Sequence, residues 1–168
     1  MRKSLPRICA DELGCEPLMA KAFLAIFWGG LACGVLDITQ AMIAFYFQAD
    51  VKPIRIWQSV ASGLLGADAY KGGLKTAVLG GALHFLIAFT AAAVFYVASR
   101  WLPFLTEQAV ISGLLYGEAV WLFMHFVVLP LSAAHRSPLN AAAIITGPIG
   151  HMFLVGLPIA LAVRHYSR

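Results

Sequence analysis

Four long apolar runs constrain this chain more than any other feature of its sequence. They cover residues 22–47, 76–99, 109–131 and 141–163, and none of them contains Lys or Arg. Each is long enough to cross the hydrocarbon core of a bilayer, which takes about 20 helical residues. Because backbone amides in lipid must find partners within their own segment, the runs are predicted to be helices. We therefore expect an all-α membrane protein, a bundle of four transmembrane helices in one domain over residues 1–168.

Composition and missing motifs narrow the function classes. The chain is 61% hydrophobic and only 12% charged, about half the charged share of a soluble domain, so its expected partner is the lipid bilayer. The three cysteines form no CxxC pair, which argues against a disulfide scaffold. The sequence has no phosphate-binding glycine loop and no nucleophile elbow, so an enzyme is not expected. No basic face interleaved with aromatic residues predicts a nucleic-acid partner.

The distribution of Lys and Arg predicts the orientation in the membrane. Segment 1–21 begins with basic residues but continues into acidic ones, without the apolar core of a secretory signal, so we expect it to be retained. Because cytoplasmic loops carry the excess of basic residues, the side with more of them is assigned to the cytoplasm. The side of both termini has seven: Arg2, Lys3, Arg7, Lys21, Arg100, Arg164 and Arg168. The opposite side has five: Lys52, Arg55, Lys71, Lys75 and Arg136. Both termini are therefore predicted to be cytoplasmic.

The first loop, residues 48–75, has a pattern of its own. A helix that starts at Pro53 would collect apolar side chains on one side, with Arg55, Gln58, Ser59 and Ser62 on the other. The apolar side would hold Ile54, Ile56, Trp57, Val60, Leu64 and Leu65. Such a helix is typical of a segment that lies in the membrane interface. A re-entrant segment is the alternative.

Glycine pairs recur at helical spacing. Gly30 and Gly34 form a GxxxG motif in the first run, and Gly113 and Gly117 form another in the third. Small residues let helix backbones approach closely, which membrane helices need because lipid provides no hydrophobic force between them. We expect these faces to pack within one chain. A homo-oligomer built through the same small-residue faces is the alternative.

Five ionisable residues inside the apolar runs are the main functional signal. They are Asp37, His84, Glu118, His125 and His151. A carboxylate or imidazole in lipid costs several kcal/mol unless it is paired or hydrated, so all five are expected to face inward. A rise of about 1.5 Å per residue puts Asp37, His84, His125 and His151 at about 9 to 15 Å from the side of the first loop. One candidate ligand from each helix would then lie in one layer.

This layer predicts a transition-metal site made of His84, His125, His151 and Asp37, because neutral imidazole and carboxylate suit such ions. A b-type haem held by two of the histidines is a second cofactor that the residues allow. A proton relay through Glu118, His125 and Asp37, within a proton-coupled transporter, needs no cofactor. A structural role, in which buried Asp and His pair only to hold the bundle together, stays open as well.

The later part of the chain resembles the YagU-like family of bacterial inner-membrane proteins. The residues that carry the resemblance are His84, Phe85, Tyr96, Pro103, Gly113, Leu114, Leu115, His125, Pro130, Leu131, Gly150 and His151. The resemblance implies a multi-helix protein of the cell inner membrane, with His84, His125 and His151 at family positions. It does not extend to Asp37 or Glu118, and it implies no particular reaction.

Overall fold

The structure, a computed structural model, describes residues 9–134 and 141–167. Within these ranges the chain is helical with short connections and has no strand. The helices are α1 (Cys9–Ala49), α2 (Pro53–Leu65), α3 (Gly73–Trp101), α4 (Phe104–Glu107), α5 (Ala109–Phe123), α6 (Leu129–Leu131), α7 (Ala141–Gly150) and α8 (Leu157–Tyr166). A 3₁₀ turn (Gly66–Lys71) precedes α3, and π-helical turns join α5 to α6 (Met124–Val128) and α7 to α8 (His151–Gly156).

Four helical stretches are long and apolar enough to cross a membrane. We call them span 1 (Met19–Ala49), span 2 (Gly73–Trp101), span 3 (Ala109–Leu131) and span 4 (Ile144–Tyr166). Large apolar side chains such as Phe47 and Leu131 stay more than four-fifths exposed on the outside of the bundle, as lipid contact requires. The predicted all-α bundle of four membrane helices is confirmed. Basic residues Arg2, Lys3, Arg7, Arg136 and Arg168, which entered the orientation count, lie outside the described residues.

Prolines explain the two π turns. Pro130 and Pro158 each follow a π turn by two residues, and neither can donate a hydrogen bond to the carbonyl four residues before it. A wider turn relieves the clash between the proline ring and that carbonyl. Both turns contain a predicted site residue, His125 in span 3 and His151 in span 4.

The small residues pack within the chain, as expected. In span 1, a Cβ added at Gly30 or Gly34 would overlap the rings of Phe89 and Phe85 in span 2. In span 3, a Cβ at Gly117 would overlap the carbonyl of His151 in span 4. The GxxxG faces of spans 1 and 3 are thus occupied by spans 2 and 4. The largest fully buried side chains of the bundle are Phe95, Ile159, Val163 and Cys33.

Helix α2 packs across span 2 and ends where Gly66 adopts a positive φ of 57°. Its closest approach is at Gly80, where an added Cβ would overlap the Trp57 carbonyl. The backbone N–H of Ala133 donates to the Gly63 carbonyl at 2.9 Å, so α2 also contacts the end of span 3. This helix therefore connects span 2 with the end of span 3.

The side of α2 that packs against the bundle contains the polar residues Gln58 and Ser62 as well as Ile56. The place of α2 in the membrane interface, or as a re-entrant segment, stays a prediction. Gln58 and Ser62 are buried, whereas Leu64 is 64% exposed. The Gln58 amide donates to the Gly73 carbonyl at 3.0 Å and lies 3.4 Å from the Thr76 hydroxyl. The close contact at Gly80 favours small or hydrogen-bonded side chains on the inner side, which leaves Leu64 on the outside.

Candidate functional site

A cavity of about 200 Å³ lies inside the bundle, between the four spans and α2. Its polar side chains are Asp37 from span 1, His84 from span 2 and His151 from span 4. The rest of its lining consists of Cys33, Gly34, Val60, Ile87, Ala88, Ala91, Val120, Met124 and Val155. Three of the residues singled out in the sequence therefore line one mostly apolar cavity.

Asp37 and His151 face each other in this cavity. The Asp37 Oδ1 atom lies 3.9 Å from the His151 Nε2 atom, with side chains 23% and 22% exposed. This separation is too long for a direct hydrogen bond. Asp37 belongs to span 1 and His151 to span 4, so the pair lies between two different helices.

The hydrogen bond of the other ring nitrogen, Nδ1, determines which tautomer His151 adopts. Nδ1 lies 3.0 Å from the Gly147 carbonyl oxygen, which can only accept a hydrogen bond, so Nδ1 carries a hydrogen. In neutral imidazole the other nitrogen, Nε2, then holds a lone pair. Nε2 is also the ring atom 3.9 Å from Asp37 Oδ1, so in this tautomer two acceptor atoms are neighbours across the gap.

Packing against span 3 fixes the backbone of His151. The residue begins the π turn of span 4, and its carbonyl lies directly over Gly117. Any side chain at position 117 would push this turn away from span 3. The absence of a side chain at Gly117 therefore determines how close the His151 backbone lies to span 3.

His84 is held by a different contact. Its Nε2 atom lies 2.8 Å from the Gly34 carbonyl oxygen in span 1, so Nε2 donates and Nδ1 holds the lone pair of the neutral ring. The Trp57 ring of α2 meets the imidazole edge to face at 5.9 Å between ring centroids. His84 thus joins spans 1 and 2 while it lines the cavity.

The structure places the other two predicted residues outside this cavity lining. His125 stacks on Trp121, with ring centroids 5.3 Å apart and 5° between the ring planes. Its neighbour Met124 lines the cavity, and successive residues of a helix point about 100° apart, so His125 faces another direction. Glu118 does not line the cavity either.

The metal hypothesis can be compared with this geometry. Among the residues that the structure describes, no three or more His, Cys, Asp or Glu side chains form a group that could hold a metal ion. Of the predicted ligands, Asp37 and His151 face each other, His84 bonds a carbonyl with one ring nitrogen, and His125 stacks elsewhere. The transition-metal and haem sites stay predictions.

Cys33 and Val60 are among the cavity residues that the sequence did not single out. Cys33 is only 1% exposed, and its thiol lies 3.4 Å from the Gly30 carbonyl. Its place one turn before Asp37 could have marked it as part of the same helix face. Val60 comes from α2, and no spacing rule relates it to the spans.

No family model, curated protein or solved structure matches this chain. The resemblance to the YagU-like family therefore stays a prediction.

Proposed function

We propose that this multi-pass membrane protein carries protons across the membrane, with the Asp37–His151 pair as its proton-binding site. The observation that carries the proposal is the 3.9 Å gap between Asp37 Oδ1 and His151 Nε2. The gap lies in a cavity whose remaining walls are nearly all apolar. Ionisable side chains inside a membrane bundle are typical of proton and solute pathways.

The pair needs a donor or a cation between its facing atoms. With Nδ1 of His151 committed to Gly147, an ionised Asp37 and a neutral His151 present two lone pairs to each other. A proton on either residue turns this arrangement into an attractive one. Binding and release of one proton by this pair would be one step of the transport.

The proposed pair differs from the relay predicted from the sequence. That relay joined Asp37 to Glu118 and His125, neither of which lines the cavity. His151 takes their place because it faces Asp37 directly. His84 is the adjacent group, with its Nε2 bound to the Gly34 carbonyl.

Proton flux into liposomes that contain the purified protein tests this proposal. A potassium diffusion potential drives proton entry, and a pH-sensitive dye inside the vesicles reports it. We expect Asp37→Asn and His151→Gln to reduce the flux to the level of protein-free vesicles. Asp50→Asn and His165→Gln are matched controls at exposed positions, and both should retain the flux. Equal flux in wild type and Asp37→Asn, or no flux in the wild type, would contradict the proposal.

A transition-metal ion at the same pair is the second candidate. The 3.9 Å separation allows one ion to bond both Asp37 Oδ1 and His151 Nε2, since bonds to zinc are about 2.0 to 2.2 Å long. Calorimetric titration with Zn²⁺ distinguishes two arrangements. If this pair holds the ion, His151→Ala abolishes binding and His125→Ala does not. If the ion is held by the four ligands predicted from the sequence, both His151→Ala and His125→Ala should lose Zn²⁺ binding.

The proposed cellular location and family membership rest on the sequence alone. We propose that the protein lies in the cell inner membrane with both termini in the cytoplasm, in accordance with the excess of Lys and Arg on that side. We also propose that it belongs to the YagU-like family, on the residues named above.

A further inference from the structure

The start of α2, the 3₁₀ turn and the start of span 2 are tied together by hydrogen bonds. The Arg55 Nη1 atom of α2 donates to the Tyr70 carbonyl of the turn at 3.2 Å, and the guanidinium lies 5.3 Å from the centroid of the Tyr70 ring. The Thr76 hydroxyl of span 2 donates to the Ala69 carbonyl of the same turn at 2.6 Å. One fixed corner of the molecule therefore contains residues from all three segments.

Four exposed cations, which we call the basic cluster, belong to this corner. They are Lys52, Arg55, Lys71 and Lys75. Lys71 bonds the Asp68 carboxylate at 2.8 Å, whereas the other three make no ion pair with any residue that the structure describes. Because Asp50 and Asp68 are the carboxylates of segment 50–76, four cations less two anions leave it a net charge of +2. The corner therefore attracts anions.

Exposed apolar side chains alternate with these cations. Three members of the basic cluster each follow an exposed apolar residue in the chain. These apolar residues are Ile54, Tyr70 and Leu74, which are 39%, 39% and 72% exposed. The corner lies where span 2 begins, at Gly73. A lipid at this boundary offers a phosphate to the cations and hydrocarbon to their apolar neighbours, whereas a dissolved phosphate offers nothing to the apolar side chains.

We propose that the basic cluster binds the phosphate of an anionic phospholipid, with Arg55 as its central contact. The Tyr70 carbonyl and ring hold the Arg55 guanidinium in place, and its other N–H groups can donate in pairs to phosphate oxygens. Phosphatidylglycerol fits, because its head is negative, whereas the ammonium of phosphatidylcholine offsets the phosphate charge. This site does not involve Asp37 or His151, so it stands apart from the proposed proton transport.

Photolabelling in phosphatidylcholine nanodiscs tests the proposal. The two probes are phosphatidylglycerol and phosphatidylcholine with the same diazirine high in one acyl chain, and mass spectrometry locates the labelled residues. We expect the phosphatidylglycerol probe to label the chain around Ile54, Tyr70 and Leu74 about tenfold more than the phosphatidylcholine probe. Glycerol phosphate, a soluble anion with the same phosphate group, should not reduce this labelling.

Substitutions test the role of the individual charges. Arg55→Gln should weaken labelling by the phosphatidylglycerol probe about tenfold, the effect of losing a hydrogen bond to a charged group. Lys75→Gln should weaken it about fivefold, because one cation near the membrane surface is lost. Arg100→Gln is the matched control, because it removes an exposed arginine from the other end of span 2 and should leave these labels unchanged.

Asp68→Asn should produce a gain that misfolding cannot imitate. It removes a negative charge and releases Lys71, so labelling should rise about fivefold. Equal labelling by the two probes would overturn the proposal, because the probe would then behave as ordinary boundary lipid. Equal labelling of wild type, Arg55→Gln and Asp68→Asn would overturn it as well. Displacement of the probe by glycerol phosphate would overturn the lipid as the partner, since a soluble phosphate would then suffice.

Discussion

Asp37 Oδ1 and His151 Nε2 lie 3.9 Å apart, and the opposite nitrogen of the same imidazole is tied to the Gly147 carbonyl at 3.0 Å. The ring is thus fixed at one end by its own helix and faces a carboxylate from another helix at the other end. A histidine that only stabilised the bundle would gain more from a direct bond to Asp37. The gap leaves room for a small donor or cation, and a proton bound to either residue would allow the two atoms to approach to hydrogen-bond distance.

Gly117→Ala should displace this histidine. The added methyl group overlaps the His151 carbonyl, a backbone atom that cannot rotate away. We expect a loss of about 1 to 3 kcal/mol of stability, typical of overpacking, and reduced proton flux. Thermal unfolding in detergent measures the loss of stability.

Gly63→Ala is the control, because its nearest neighbour, the Ser132 Cβ, lies at an ordinary contact distance of 3.8 Å. An unfolding temperature for Gly117→Ala equal to that of Gly63→Ala would show that span 4 does not depend on this contact.

Gly80→Ala should move α2 away from span 2. An added Cβ would overlap the Trp57 carbonyl, while at Gly81 it would make only ordinary contacts of 3.7 Å with the Trp57 ring. Because α2 supplies Val60 to the cavity, its movement should expose Cys33. In a background with Cys9 and Cys15 replaced by Ser, we expect a small methanethiosulfonate reagent to label Cys33 faster in Gly80→Ala than in Gly81→Ala. Equal rates would mean that α2 does not close the cavity.

Much of this arrangement follows from sequence pattern. Apolar runs gave the four spans, and a rise of about 1.5 Å per residue was enough to place Asp37, His84 and His151 at similar depth. The rise per residue gives depth but not direction, so it could not show that His125 stacks on Trp121 and does not line the cavity. The burial of Gln58 and Ser62 in α2 could not be predicted, because the close approach at Gly80 depends on the partner helix.

Orientation in the membrane can be measured with reporter fusions. The count of basic residues predicts that fusions at Arg100 and Arg168 report the cytoplasm and that a fusion at Lys71 does not. The opposite pattern would reverse the orientation and leave the four spans intact. Disagreement between the fusions at Arg100 and Arg168 would contradict the number of spans.

The exposed loop contains an ion pair whose pH dependence can be predicted. Lys71 bonds the Asp68 carboxylate at 2.8 Å, and this hydrogen bond holds the pKa of Asp68 below its usual value. The associated stabilisation is present above the pKa of the unfolded chain and is lost as the pH falls through the lower folded pKa. It is small, because both side chains are more than three-quarters exposed. Carboxyl ¹³C titration should give a higher pKa in Lys71→Gln and an unchanged one in the control Lys75→Gln. An unchanged value in Lys71→Gln would contradict the assignment.

The most direct test of the proposed proton-binding site is whether Asp37 and His151 respond together when one proton binds. NMR of the reconstituted protein, with ¹⁵N in the imidazole and ¹³C in the carboxyl group, follows both partners through a pH titration. We expect Nδ1 of His151 to stay protonated throughout, as its bond to Gly147 requires. We also expect the Asp37 carboxyl resonance to respond in the same step in which Nε2 gains its proton, because interacting groups titrate as a pair. Asp37→Asn should move this Nε2 step and Asp50→Asn should not. An Asp37 carboxyl resonance that does not respond in that step, or a Nδ1 atom that loses its proton, would contradict the proposed site.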